Sequence, residues 1–203
     1  MDYPKCLKSL EKVLQLKCFA QNEKAGSSKH DLIEKKMDRK EIGKMSGQEG
    51  LKELQERAVG YFCSRPSNFP VGRPYNCCES VLLALKDRLG VGSDLIPKIG
   101  TGIGAGVSLN GLLCGSVSSV ALAIGMKYGR TSPEEDPKPV WNIVDKYVAQ
   151  FEDRFGSVNC RQLTGLDLET EEGLKKYFEK VHDYARVERL KFAVEKALEI
   201  LLE

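Results

Sequence analysis

Histidine is almost absent from this chain of 203 residues: His30 and His182 are the only two. A His-rich catalytic metal centre is therefore not expected. Tryptophan occurs once, as Trp141, and is expected in the core. No C-x-x-C pair exists, so nothing points to a zinc ribbon, a thioredoxin motif or a covalently attached c-type haem. An excess of one charge is also missing. Lys and Arg number 31 against 29 Asp and Glu, leaving +2, which argues against nucleic acid as a partner. The balance holds along the chain, +3 over residues 1–50 and −1 over 51–203. Long apolar runs are lacking too. The longest uncharged stretch, Ile99–Met126, is diluted by glycine, serine and asparagine. A spanning helix needs about 20 mostly apolar residues, so no membrane span is expected. The N-terminus carries no basic region followed by an apolar core and a small-residue cleavage site. The expected location is cytoplasmic.

Cysteine, by contrast, is plentiful: Cys6, Cys18, Cys63, Cys77, Cys78, Cys114 and Cys160. The number is odd and the expected compartment is reducing, so a structural disulfide framework is not expected. Seven thiols still exceed what packing needs. Metal binding or redox chemistry follows as the leading question.

Strand-like alternation is nearly absent, and the apolar residues recur at helical spacing. Residues 1–19 read as a short amphipathic helix and 20–47 as a polar linker, together a 1–47 extension before a 48–203 domain. A helix is predicted over Gln48–Phe62, with Leu51, Leu54, Ala58 and Phe62 on one face. Three prolines make Ser64–Tyr75 a loop. Asn76 caps the next helix, with Glu79 at the capping-box position and Cys78, Leu82, Leu85 and Leu89 as its apolar stripe. A short helix is predicted over Asp94–Ile99. After the glycine-rich run Gly100, Gly102, Gly104 and Gly106, a central helix of small residues is predicted over Leu112–Tyr128. Others are predicted over Val140–Phe155, stopped by Gly156, from Asn159-Cys160 to Gly165, and after a Thr170 cap. The last periodic stretch is Leu174–Leu202, broken near Asp183. The predicted fold is all-α, a compact helical bundle with a glycine-rich segment between helices.

Cys77, Cys78, Cys114 and Cys160 fall at predicted helix starts. Free backbone amides and the positive dipole end favour thiolate there, and thiolate is both nucleophile and metal ligand. Gly115 beside Cys114 allows a close approach. Two other readings are weaker. Gly100-x-Gly102-x-x-Ala105 fits a dinucleotide fingerprint, but without the preceding strand or the acidic residue about 20 positions on. A Cys114–His182 hydrolase pair has no supporting motif.

Three blocks resemble a known family. Asn76-Cys77-Cys78-Glu79-Ser80-Val81 is similar to the N-C-A-x-A-V helix start of the redox-active C_GCAxxG_C_C proteins. Gly100-Thr101-Gly102-Ile103-Gly104-Ala105-Gly106, followed by Cys114-Gly115-Ser116, resembles their glycine-rich segment and C-G-A-x-x-G motif. Phe155-Gly156-Ser157-Val158-Asn159-Cys160-Arg161-Gln162-Leu163-Thr164-Gly165 resembles their third-cysteine block. Ser116 and Ser119 stand where the family has Ala and Gly. The family's fourth cysteine precedes its last helix, and the matching stretch Asp183–Phe192 has Arg186 and Arg189 but no cysteine. Cys78 is the expected substitute, with His182 as another.

The resemblance implies a redox-active protein. Cys77, Cys114 and Cys160 are its expected catalytic thiols, and Gly104, Gly106 and Gly115 its expected cofactor-contacting glycines. With Cys78, the three thiols are candidate ligands of an iron–sulfur cluster or another thiophilic metal. Otherwise they cycle between thiol and disulfide, with Cys77 attacking and Cys114 or Cys160 resolving. A redox partner protein, and a possible homodimer, are the expected partners. The contrasting reading is a helical interaction module with a degenerate cysteine site.

Overall fold

Helical spacing dictates nearly all regular structure in the computed structural model, which describes residues 48–64, 66–68, 72–89, 94–177 and 184–202. Helix α1 spans Gln48–Cys63 and buries Leu54, Ala58 and Phe62. Helix α2 spans Cys77–Leu89 and buries the stripe Cys78, Leu82, Leu85 and Leu89. A 3-10 helix, Lys98–Ile103, leads into the four-residue turn α3, Gly104–Val107. Helix α4 is Gly115–Tyr128 and α5 is Lys138–Phe155. The short α6, Cys160–Thr164, and α7, Glu171–Lys176, precede the long α8, Tyr184–Leu202. Among the described residues there is no strand, only an isolated antiparallel bridge between Leu113 and Asn159. The fold is all-α.

Helices α1, α2, α4 and α8 pack around one core, and α5 packs on α4 and α8. The core includes Leu82, Leu85, Val120, Ile124, Leu190 and Val194. Each such side chain contributes about 1.5–3 kcal/mol when buried. Helix α4 can sit centrally because Gly115, Ser116, Ser118, Ser119 and Ala123 are small and let its neighbours close in. Tyr147, Phe151 and Phe155 of α5 cluster with Phe192 of α8, ring centroids 4.7–6.5 Å apart. No helix among the described residues is long and apolar enough to cross a membrane.

Three sequence expectations need correction. The helix predicted over 94–99 is a turn followed by the 3-10 helix, because Pro97 has no N–H to donate and serves as the N-cap instead. The central helix starts at Gly115, not Leu112. Residues Leu112 and Cys114 give their backbone groups to the bridge: Cys114 N donates to the Val158 carbonyl (2.9 Å), and the Leu112 carbonyl accepts from Cys160 N (2.6 Å). Trp141, expected in the core, is 62% exposed. It lies six residues before buried Tyr147, so at about 100° per residue it points about 120° away from the buried face. The expected helix over 1–19, the linker 20–47 and His182 lie outside the described residues.

Candidate functional site

Cys77, Cys114 and Cys160 each stand at a helix start, and local hydrogen bonding puts them there. Asn76 caps α2: its Oδ1 accepts from the amides of Cys78 (2.9 Å) and Glu79 (3.0 Å). The Glu79 carboxylate answers by accepting from Asn76 N (2.8 Å), which completes the capping box. The same Asn76 side chain donates through Nδ2 to the carbonyls of Gly100 and Thr101, and Thr101 Oγ1 donates to Glu79 Oε1 (2.6 Å). The glycine-rich 3-10 helix is thereby tied to the start of α2. Cys114 is the N-cap residue of α4, in extended conformation. Cys160 opens α6, capped by Asn159, whose Oδ1 accepts from Gln162 N (3.1 Å). The Leu113–Asn159 bridge then fixes the Cys114 and Cys160 segments side by side.

The three glycines act through close packing. A Cβ on Gly115 would collide with Cys77 Sγ, so the missing side chain is what lets Cys77 reach the start of α4. A Cβ on Gly106 would come within 2.7 Å of Cys160 Cβ, and one on Gly104 within 2.6 Å of the Asn76 side chain. In each case the vacated space is filled by this chain's own atoms.

Gly106 belongs to a segment the sequence reading missed. Ala105, Gly106, Val107, Ser108 and Leu109 all have positive φ, between 52° and 74°. A left-handed turn costs roughly 1–2 kcal/mol per non-glycine residue, and such runs are rare. Leu112 N donates to the Gly106 carbonyl (2.9 Å) and Asn110 N to that of Val107 (3.2 Å). Ala105 and Leu109 pack against Cys160, Leu168 and Tyr177. Nothing in local propensity announces this turn.

Burial separates the thiols. Cys77 is half-buried, whereas Cys78, Cys114 and Cys160 are buried. Cys78 lies in the apolar core, its Sγ toward Gly100. Burial pushes the Cys78 thiol well above its ordinary range. Burial also pushes Cys114 up to about 12, against opposing contributions from the Ser116 amide and Arg189. Cys160 is raised by burial, then by Cys77, with Arg186 and Arg189 acting the other way. The expected ease of forming thiolate is therefore corrected at these three positions: desolvation outweighs the helix ends.

Two arginines complete the site. Arg186 and Arg189 are buried, 8% and 7% exposed. Arg186 lies over the Tyr177 ring, 3.4 Å from its centroid, and 5.4 Å from that of Phe62. Burial pulls its guanidinium down to about 10, while Cys77 and Cys160 act to raise it. Arg189 Nη2 donates to the Leu163 carbonyl (2.9 Å). They lie in the stretch Asp183–Phe192, where the resemblance leads one to expect a cysteine and none occurs. Their register with Leu190, Ala193 and Ala197 on the buried stripe of α8 is the sequence signal that could have shown them facing inward.

Among the described residues no group of three or more His, Cys, Asp or Glu side chains is disposed to hold a metal ion. No curated protein and no solved structure matches the chain. A family model described as "Putative redox-active protein (C_GCAxxG_C_C)" matches residues 75–200, which is more than half of the sequence and spans all three cysteine blocks. The chain belongs to the C_GCAxxG_C_C family of redox-active proteins.

Proposed function

We propose that this family member works by thiol–disulfide exchange with a partner protein, Cys77 attacking and Cys114 resolving. The carrying observation is the contrast in burial: of the three thiols at helix starts, only Cys77 is half-buried while Cys114 and Cys160 are buried. Cys77 Sγ also occupies the space beside Gly115, next in sequence to Cys114. Cys160 is the second possible resolving thiol.

The Cys77 thiolate attacks one sulfur of a partner disulfide. That S–S bond breaks, a mixed disulfide forms, and the other partner sulfur leaves as thiolate and takes up a proton. The resolving thiol then loses its proton and attacks the Cys77 sulfur. An internal disulfide forms as the second partner sulfur leaves. In sum, two protein thiols give up two electrons and two protons, and one partner disulfide becomes two thiols.

The metal or iron–sulfur cluster implied by the resemblance does not fit these residues. No three donors among the described residues are disposed around an ion. The stretch where the resemblance expects a fourth cysteine holds Arg186 and Arg189 instead, whose guanidinium groups offer no lone pair to a metal. No step is routed through such a group.

The test is oxidation of the full-length protein in a glutathione buffer, followed by alkylation of remaining thiols and peptide mapping. A Cys77–Cys114 or Cys77–Cys160 disulfide that forms reversibly supports the proposal. Thiols that stay reduced at every buffer ratio refute it and favour an interaction module with a degenerate site.

A further inference from the structure

A guanidinium taken out of water normally finds acceptors for its N–H groups, because unmet donors and unpaired charge are costly there. Arg186 has none: it is 8% exposed, and among the described residues no hydrogen bond or ion pair reaches it. Its close contacts are aromatic. The guanidinium carbon lies 3.4 Å from the Tyr177 ring centroid and 5.4 Å from that of Phe62. A ring receives the charge through its face and leaves the in-plane N–H donors without an oxygen. Arg189 stands one helical turn on, 7% exposed, on the same side of α8. One of its donors, Nη2, reaches the Leu163 carbonyl (2.9 Å), and among the described residues it too forms no ion pair.

The described carboxylates of the neighbouring elements are engaged elsewhere, and none pairs with either arginine. Glu79, buried at the start of α2, accepts from Asn76 N and Thr101 Oγ1. Glu188 of α8 pairs with Lys191 (3.6 Å), and Glu172 of α7 with Lys176 (2.6 Å). Asp167 and Glu169 hold Arg161, at 3.2 and 2.9 Å. Two buried cations one helical turn apart repel each other unless an anion lies between them. Arg186 is the third residue of α8, and helical side chains lean toward the N-terminus. The first-turn amides there lack helical acceptors and carry the positive end of the dipole. Two unmatched guanidinium groups and a positive helix end thus share one place, which is the setting an anion selects.

We propose that Arg186 and Arg189, at the start of α8, form a binding site for a small tetrahedral oxyanion, with free phosphate or sulfate as its ligand. The four oxygens of such an ion accept from both guanidinium forks, whereas the two of a carboxylate serve one. The near-complete burial of both side chains suits a free ion and excludes the phosphate of a nucleic acid or a phosphopeptide. The bound ion ties α8 to the third cysteine block: Arg186 lies on Tyr177, which packs with Cys160, and Arg189 holds Leu163 of α6. The inference goes beyond the thiol–disulfide reading and needs no charge on any sulfur.

Full-length parent, Arg186→Met, Arg186→Lys and Arg189→Met proteins are titrated with sodium phosphate by calorimetry, at constant ionic strength in reducing buffer. Lys52→Gln, at an exposed position of α1, is the control. The parent should bind one phosphate saturably, with sulfate competing and chloride not. Arg186→Met should weaken binding about tenfold, the loss of one charge-assisted pair. Arg189→Met should weaken it by less, since one of its donors is already used. Arg186→Lys keeps the charge but loses the fork, and should fall between the parent and Arg186→Met. Lys52→Gln should stay within about twofold of the parent, because exposed charge is screened. A parent that binds no phosphate saturably overturns the proposal, and so does chloride that competes as well as sulfate. Two Met variants that both stay within about twofold of the parent also overturn it, as does a Lys52→Gln loss equal to that of Arg186→Met, the mark of diffuse attraction. Circular dichroism checks that each variant folds; should Arg186→Met not fold, Arg189→Met decides. Every thiol stays reduced in these titrations, so failure of the exchange reading in the disulfide mapping leaves their outcome untouched.

Discussion

At its C-terminal end, α4 meets α8 with ordinary materials. Tyr128 OH donates to the Ile200 carbonyl (3.1 Å) and the Lys127 ammonium to that of Leu201. A cation there faces the negative end of α8, which dipole and hydrogen bonding both favour. At the other end the same two helices meet with positive ends, two buried arginines and thiols. A left-handed turn adds strain nearby. The first end shows what stability alone selects. The second departs from it in charge, backbone and packing together, which is the pattern of a site.

The sharpest way to test that contrast is to damage each end separately. Leu201→Ala, buried at the C-terminal end of α8, should lower unfolding free energy by about 2–5 kcal/mol, read by urea denaturation. Cys77 labelling in the folded fraction should be unchanged. Gly115→Ala should cost about 1–3 kcal/mol, because its methyl group meets Cys77 Sγ, and here the labelling rate should change as well. If both substitutions alter labelling equally, the ends are not distinct.

Alkaline pH should weaken the protein through its buried thiols. Below pH 9 Cys114 is protonated in both folded and unfolded chains and contributes no pH dependence. Above its ordinary value of 9.0 the unfolded chain loses the proton, while the folded protein keeps it up to about 12. Stability should therefore fall as pH rises from about 9 toward 12, by up to about 1.4 kcal/mol per pH unit for this thiol. Urea midpoints measured across that range should show it, and Cys114→Ala should lessen the slope by its share, with Cys78, Cys160 and Tyr147 supplying the rest. The smallest effect is a gain. Val107 holds a φ of 61°, so Val107→Gly should stabilise the protein by about 0.5–1 kcal/mol in thermal unfolding.

Much of the bundle was legible because helix signals are local. The stripe Cys78, Leu82, Leu85 and Leu89, the Asn76 and Asn159 caps and the Gly156 stop all depend on near neighbours in sequence. The helix starts of Cys77 and Cys160 were readable for that reason. Cys114 was misplaced by one position class, inside a helix rather than capping it, because its backbone is claimed by Val158 from far along the chain. The left-handed turn was illegible for a different reason. Only Gly106 among its five residues prefers that conformation, and packing against Cys160, Leu168 and Tyr177 imposes it on the rest. Arg186 and Arg189 were visible as residues, but their burial depends on what faces α8.

The bridge between Leu113 and Asn159 bears on how the chain acquires its chemistry. It joins segments separated by all of α4 and α5, so closing it costs loop entropy that only a nearly finished bundle can offset. Before that, Cys114 and Cys160 diffuse apart, each beside its own local helix start. The juxtaposition of these segments thus depends on the folded bundle, and a partly unfolded chain that lacks the bridge has the cysteines without it. The approach of Cys114 to Cys160 is in this sense a readout of the native state.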